Sequence, residues 1–119
     1  MGDKIMESFF WVTDLLIPLT MIIMGYILYK NPPKDINDVY GYRTRRSKQS
    51  IKAWKYANTL CGLYWIKIGL IVLMIVVIDK LLVPMKPENL SLINMVIGIG
   101  ALIIPIFIIE KKLKDKFHS

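Results

Sequence analysis

The sequence predicts an all-α integral membrane protein with three transmembrane helices, the second lengthened by an amphipathic cytoplasmic turn. Three observations carry this. Hydrophobic residues make up 55% of the 119 positions and charged residues only 21%. A soluble domain this small buries only part of its apolar surface and has no room for so much. The apolar residues also fall into three segments, about 9–29, 60–83 and 90–109. Each reaches the roughly 20 residues needed to cross a hydrocarbon core of about 30 Å. Finally, the basic residues are gathered into two stretches between and after those segments. We read the chain as a single domain. Disorder is excluded by the hydrophobicity, and a disulfide scaffold by the lone Cys61.

The first span runs from Phe9 to Tyr29. It is longer than a signal-peptide core and no small-residue cleavage site follows, so it reads as a retained helix. Lys30-Asn31-Pro32-Pro33 stops it. Pro18 here and Pro105 in the third span are tolerated in membrane helices and are expected to kink them. None of the three segments alternates with period two, which argues against a barrel. In lipid the backbone must satisfy its own hydrogen bonds, so each segment should be a helix.

The basic residues orient the bundle. Eight lie between the first two spans: Lys30, Lys34, Arg43, Arg45, Arg46, Lys48, Lys52 and Lys55. Lys111, Lys112, Lys114 and Lys116 follow the third, whereas the opposite side offers Lys4, Lys80 and Lys86. The positive-inside rule then puts the long loop and the C-terminus in the cytoplasm and the N-terminus outside. This topology accounts for the net charge of +7 without any direct nucleic-acid partner. Asn89-Leu90-Ser91 matches a glycosylation pattern, but it abuts the membrane and carries no weight.

The loop, residues 30–59, holds most of the distinctive chemistry. Gly41 sits where a positive φ is expected. Ser47 or Ser50 caps the next helix. Ile51, Trp54, Asn58 and Cys61 share one helical face by spacing, and Lys48, Lys52, Lys55 and Thr59 another. Trp54, Tyr56, Tyr64 and Trp65 suit the membrane interface. Arg43 offers a planar fork of donors to a carboxylate or phosphate. Its ligand is a lipid phosphate, a peptide carboxylate, or an internal acid such as Asp35 or Asp38. Arg45, Arg46 and Lys48 read as a solvated, lipid-facing cluster, gaining about 1 kcal/mol per charge from anionic lipid. Trp54 and Asn58, one turn apart, either anchor and pack the helix or line a cavity with Arg43.

The run Tyr40-Gly41-Tyr42-Arg43-Thr44, then Arg46-Ser47, Trp54, Ala57-Asn58 and Gly62 resembles the signature of the SdpI family. That pattern is G-x-R-T-x-x-S, a Trp seven residues after the Ser, then A-N and a Gly. Asn37 matches an Asn that often precedes it. The pattern differs at Arg45, where the family often has Pro. The resemblance spans about residues 30–75. It implies a small bacterial membrane protein conferring immunity to a membrane-active peptide toxin. It also implies a signalling role in which a cytoplasmic transcriptional repressor is held at the membrane. Candidate partner- or anion-binding residues are then Asn37, Arg43, Thr44, Ser47, Trp54 and Asn58. The alternative is a small lipid-binding or accessory membrane subunit without a toxin role.

Charges inside spans are functional candidates by default. Asp14 lies near the outer end of the first span and Lys67 near the inner end of the second. Helical rise separates them by on the order of 10–15 Å in depth, so Lys80 is the better match for Asp14, and Lys67 can reach inward to the headgroups. Gly62, Gly69, Gly98 and Gly100 suit close helix approach, within the chain or in a homo-oligomer. With one histidine, His118, at the C-terminal tail, and no metal-ligand cluster, activated nucleophile or phosphate loop, we expect neither an enzyme nor a cofactor or metal.

Overall fold

The computed structural model describes residues 2–117, so His118 lies outside the described residues. Within them the chain forms three long helices: α1 (Gly2–Lys30), α2 (Ile51–Leu82) and α3 (Pro87–Phe117), with a short 3-10 turn over Ser47–Gln49. All three are long and apolar enough to cross a membrane. The described residues contain no strand, and the molecule measures 55 × 23 × 19 Å. Only 28% of the most apolar stretch of each helix is buried within the chain. The remaining Ile, Leu, Val and Met side chains face outward, as lipid requires.

The helix ends have local causes. Ser50, not Ser47, caps α2: its hydroxyl accepts from the Ala53 N–H at 3.0 Å. Pro87 opens α3, where a missing N–H costs nothing. Two helices outrun the apolar segments. α1 begins at Gly2 rather than near Phe9. α3 continues past Ile109 through the lysine-rich tail, because Leu113 is fully buried against the core. There Tyr56 meets Phe117 edge to face at 5.6 Å, and Lys116 lies over the Tyr56 ring.

The core is built along α2, which packs against both other helices. Buried side chains fall into two clusters. One, at the loop end, comprises Leu28, Tyr42, Ala53, Ala57, Cys61, Ile109 and Leu113. The other, deeper, comprises Met21, Val72, Val76 and Ala101. Gly25 and Gly62 let α1 and α2 cross backbone to backbone: a Cβ on Gly62 would stand 2.5 Å from the Tyr29 nitrogen and 2.6 Å from the Gly25 oxygen. Gly69 and Gly98 also face α1, whereas Gly100 faces open space. Pro18 and Pro105 both lie within continuous helices and are buried. Ile51 departs from the face expected of it. It is 56% exposed, while Trp54, Asn58 and Cys61 turn inward.

Candidate functional site

The long loop is a folded lid over one end of the bundle, and its motif residues are what fold it. Asn37 shapes its start. The Asn37 side chain accepts from the Val39 and Tyr40 N–H groups at 2.9 and 2.7 Å and donates to the Asp35 carbonyl at 2.9 Å. Gly41 follows with φ +103°, and a Cβ there would strike the Asn58 side chain. Only glycine meets both demands.

Asn58 is the loop's anchor on α2. It is fully buried; its Oδ1 accepts from the Tyr42 N–H at 2.6 Å and its Nδ2 donates to the Trp54 carbonyl at 2.9 Å. Trp54 is also fully buried, and its indole N–H donates to the Pro33 carbonyl at 2.8 Å. Trp54 is therefore not an interfacial anchor. Its ring pins the start of the loop to α2 through the Pro33 carbonyl. Ser47 is buried in the same unit, its hydroxyl accepting from the Thr44 N–H at 2.8 Å.

A residue with no place in the motif completes the unit. Glu110 of α3 accepts from the Tyr42 hydroxyl at 2.6 Å and the Thr44 hydroxyl at 2.8 Å, and pairs with Arg46 at 3.6 Å. Burial, then the hydrogen bond to Glu110, pushes the Tyr42 phenol above its ordinary value. Sequence reasoning gave Glu110 no role. The available signal was a single acid at the same depth as the basic loop.

Arg46 and Lys48 are thus not simply a solvated cluster. Arg46 pairs with Glu110 and Lys48 with the Asp38 carboxylate. Lys48, through its hydrogen bond and then its charge, holds Asp38 below its ordinary value. Arg45 is exposed. Arg43 is exposed too, and one guanidinium nitrogen donates to the Asp38 backbone carbonyl. Of the internal acids considered for Arg43, Asp38 contributes its carbonyl, while its carboxylate goes to Lys48. Arg43 and Thr44 border a cavity of about 340 Å³ beneath the lid. Trp54 and Asn58 do not line it; they hold the segment that roofs it.

The opposite end carries a second polar knot. Asp14 is buried and pairs with Lys80 at 2.7 Å, both side chains at most 5% exposed. Ser91 donates to Asp14 at 2.5 Å and Asn94 at 3.0 Å. Asn94 also approaches Asp79 at 3.3 Å, while its own Oδ1 is buried without a partner. The expected match of Asp14 with Lys80 holds. Lys67 is exposed and forms no ion pair among the described residues. Ser91 and Asn94 were missed, although their spacing of three puts both on one face of an otherwise apolar helix.

Three apolar helices, a lid folded from a basic inter-helix loop and buried polar ties at both ends define a small multi-pass membrane protein. Among the described residues no group of His, Cys, Asp or Glu is arranged to hold a metal. Residues 34–109 match the SdpI/YfhL protein family, and the chain belongs to it. An uncharacterized protein named YfhL, from Bacillus subtilis (strain 168), is 38% identical over 99 residues, covering 83% of this chain and 84% of that protein. No solved structure matches significantly. This is not a known enzyme family.

Proposed function

We propose that this protein gives its bacterial host immunity to a membrane-active antibacterial peptide. The observation that carries the reading is the folded motif block. The residues shared with the SdpI pattern, Gly41 to Gly62, form one bonded unit that closes an end of the bundle and leaves Arg43 and Arg45 outward. Such a rigid, cationic lid is a surface for recognition rather than for bond-making chemistry. In the orientation the basic residues favour, the lid faces the cytoplasm and the N-terminus lies outside. The face from Arg43 to Lys55 is then where a soluble repressor docks once peptide is engaged.

The test is a protection assay in peptide-sensitive bacteria lacking their own immunity protein. Growth inhibition is measured across several membrane-active peptides for the intact chain and for Arg43→Ala/Arg45→Ala. Insertion of each is verified by membrane fractionation. Protection by the intact chain, lost in the variant, is expected. No protection despite normal insertion overturns the immunity reading. A pull-down that recovers no cytoplasmic partner with or without peptide overturns the signalling part alone.

A further inference from the structure

The cavity beneath the lid has two chemically distinct parts. Its body is apolar, walled by Leu28 of α1, Trp65 of α2 and Leu102 and Ile106 of α3. Its mouth is formed by Tyr40 to Thr44. At about 340 Å³ it falls within the usual range of ligand pockets, about 300–1,000 Å³. The hydroxyls of Tyr42 and Thr44 are already committed to Glu110. Arg43 is not committed in the same way. Its bond to the Asp38 carbonyl uses one N–H of about five on a guanidinium.

Charge at the mouth favours an anion. Arg43 is the one charged residue among those lining it, and the neighbouring carboxylates of Asp38 and Glu110 are already paired with Lys48 and Arg46. Arg43 shares the cavity with Leu28, two residues before α1 ends at Lys30, close to where a membrane helix gives way to headgroups. A free inorganic anion would leave the apolar body unfilled, and an uncharged chain would leave the guanidinium unanswered. We propose that this cavity binds an anionic phospholipid, one acyl chain lying between Leu28 and Leu102 and the phosphate on Arg43. The inference stands apart from peptide immunity. A chain that binds lipid but gives no protection keeps one and loses the other.

The test titrates delipidated full-length protein with phosphatidylglycerol and with phosphatidylcholine in detergent, reading bound lipid by native mass spectrometry. One phosphatidylglycerol per chain is expected, preferred over phosphatidylcholine by about tenfold, the worth of one charge-assisted contact. Arg43→Gln should abolish the preference. Arg45→Gln should leave it intact, because Arg45 borders a different hollow with Arg46, Gln49 and Glu110. Leu102→Trp, which fills the cavity body, should block binding with Arg43 still present. Arg43 is exposed, so its replacement does not disturb the core, and helical content by circular dichroism checks each variant. Equal binding of the two lipids, an Arg43→Gln protein that still prefers phosphatidylglycerol, or a fatty acid displacing the phospholipid at equal concentration would overturn the proposal.

Discussion

Asn58 shows how one side chain carries a loop. Its amide joins the Tyr42 N–H to the Trp54 carbonyl in a fully buried position. Asn58→Ala leaves the Tyr42 N–H without its acceptor, at a cost of about 1–3 kcal/mol. The spans lose nothing, so circular dichroism should stay unchanged while hydrogen exchange at residues 40–46 accelerates. Tyr42 gives a pH signature. Its folded pKa is raised, so the stabilisation is complete below the unfolded value, about 10, and is lost as pH rises through the higher folded value. Thermal stability in detergent should fall above about pH 10, and Tyr42→Phe should flatten that fall. At neutral pH the same variant should be less stable by about 1–3 kcal/mol, because Glu110 loses a donor. Neither role was legible beforehand. Asn58 was read as a packing or cavity residue, and Tyr42 was read only as part of a motif. A hydrogen bond across 16 residues, like that between Tyr42 and Asn58, depends on a turn whose path hydropathy does not describe.

Among the elements, the crossing of α1 and α2 rests on bare backbone. Gly62 meets the Tyr29 nitrogen and the Gly25 oxygen with no room for a side chain. Gly62→Leu must push the helices apart, and the apolar contacts of Leu28, Ala57 and Cys61 go with them. Overpacking of this kind costs about 1–3 kcal/mol or more. The unfolding midpoint in detergent should drop, while Gly100→Leu, which points into open space, should leave it near that of the wild type. Gly62 was visible in the sequence as a residue of close approach. Its partner Gly25 was not, since a glycine in an apolar helix advertises nothing until the facing helix is known. The tail of α3 teaches the converse. Lysines after Ile109 suggest the end of an element, yet the helix continues, because Leu113 has a core to enter.

At the scale of the molecule, two polar ties close the bundle at opposite ends. Glu110 holds the lid to α3. Asp14 joins α1 to Lys80 of α2 and to Ser91 and Asn94 of α3. Removing one partner of a buried ion pair costs about 3–5 kcal/mol, whereas replacing both by apolar groups is often close to neutral. Asp14→Leu should therefore unfold at much lower denaturant, and Asp14→Leu/Lys80→Met should recover most of the loss. Recovery would mark the pair as structural. Failure to recover, with the helices intact, would show that Ser91 and Asn94 need the carboxylate itself.

The sequence by itself determined the class: three helices, their approximate limits, the gathering of basic charge into two stretches, the positive φ at Gly41, the pairing of Asp14 with Lys80 and the family. All of these follow from one-dimensional quantities, namely apolar length, charge count, residue type and depth along a helix. Only the tertiary structure decided which motif residues are exposed. Trp54, Asn58 and Ser47 turned out to be the interior of the lid, Arg43 its outward cation, and Glu110 its clasp. Exposure depends on what lies opposite, and what lies opposite the loop is the end of α3, more than fifty residues away from Trp54 in the chain.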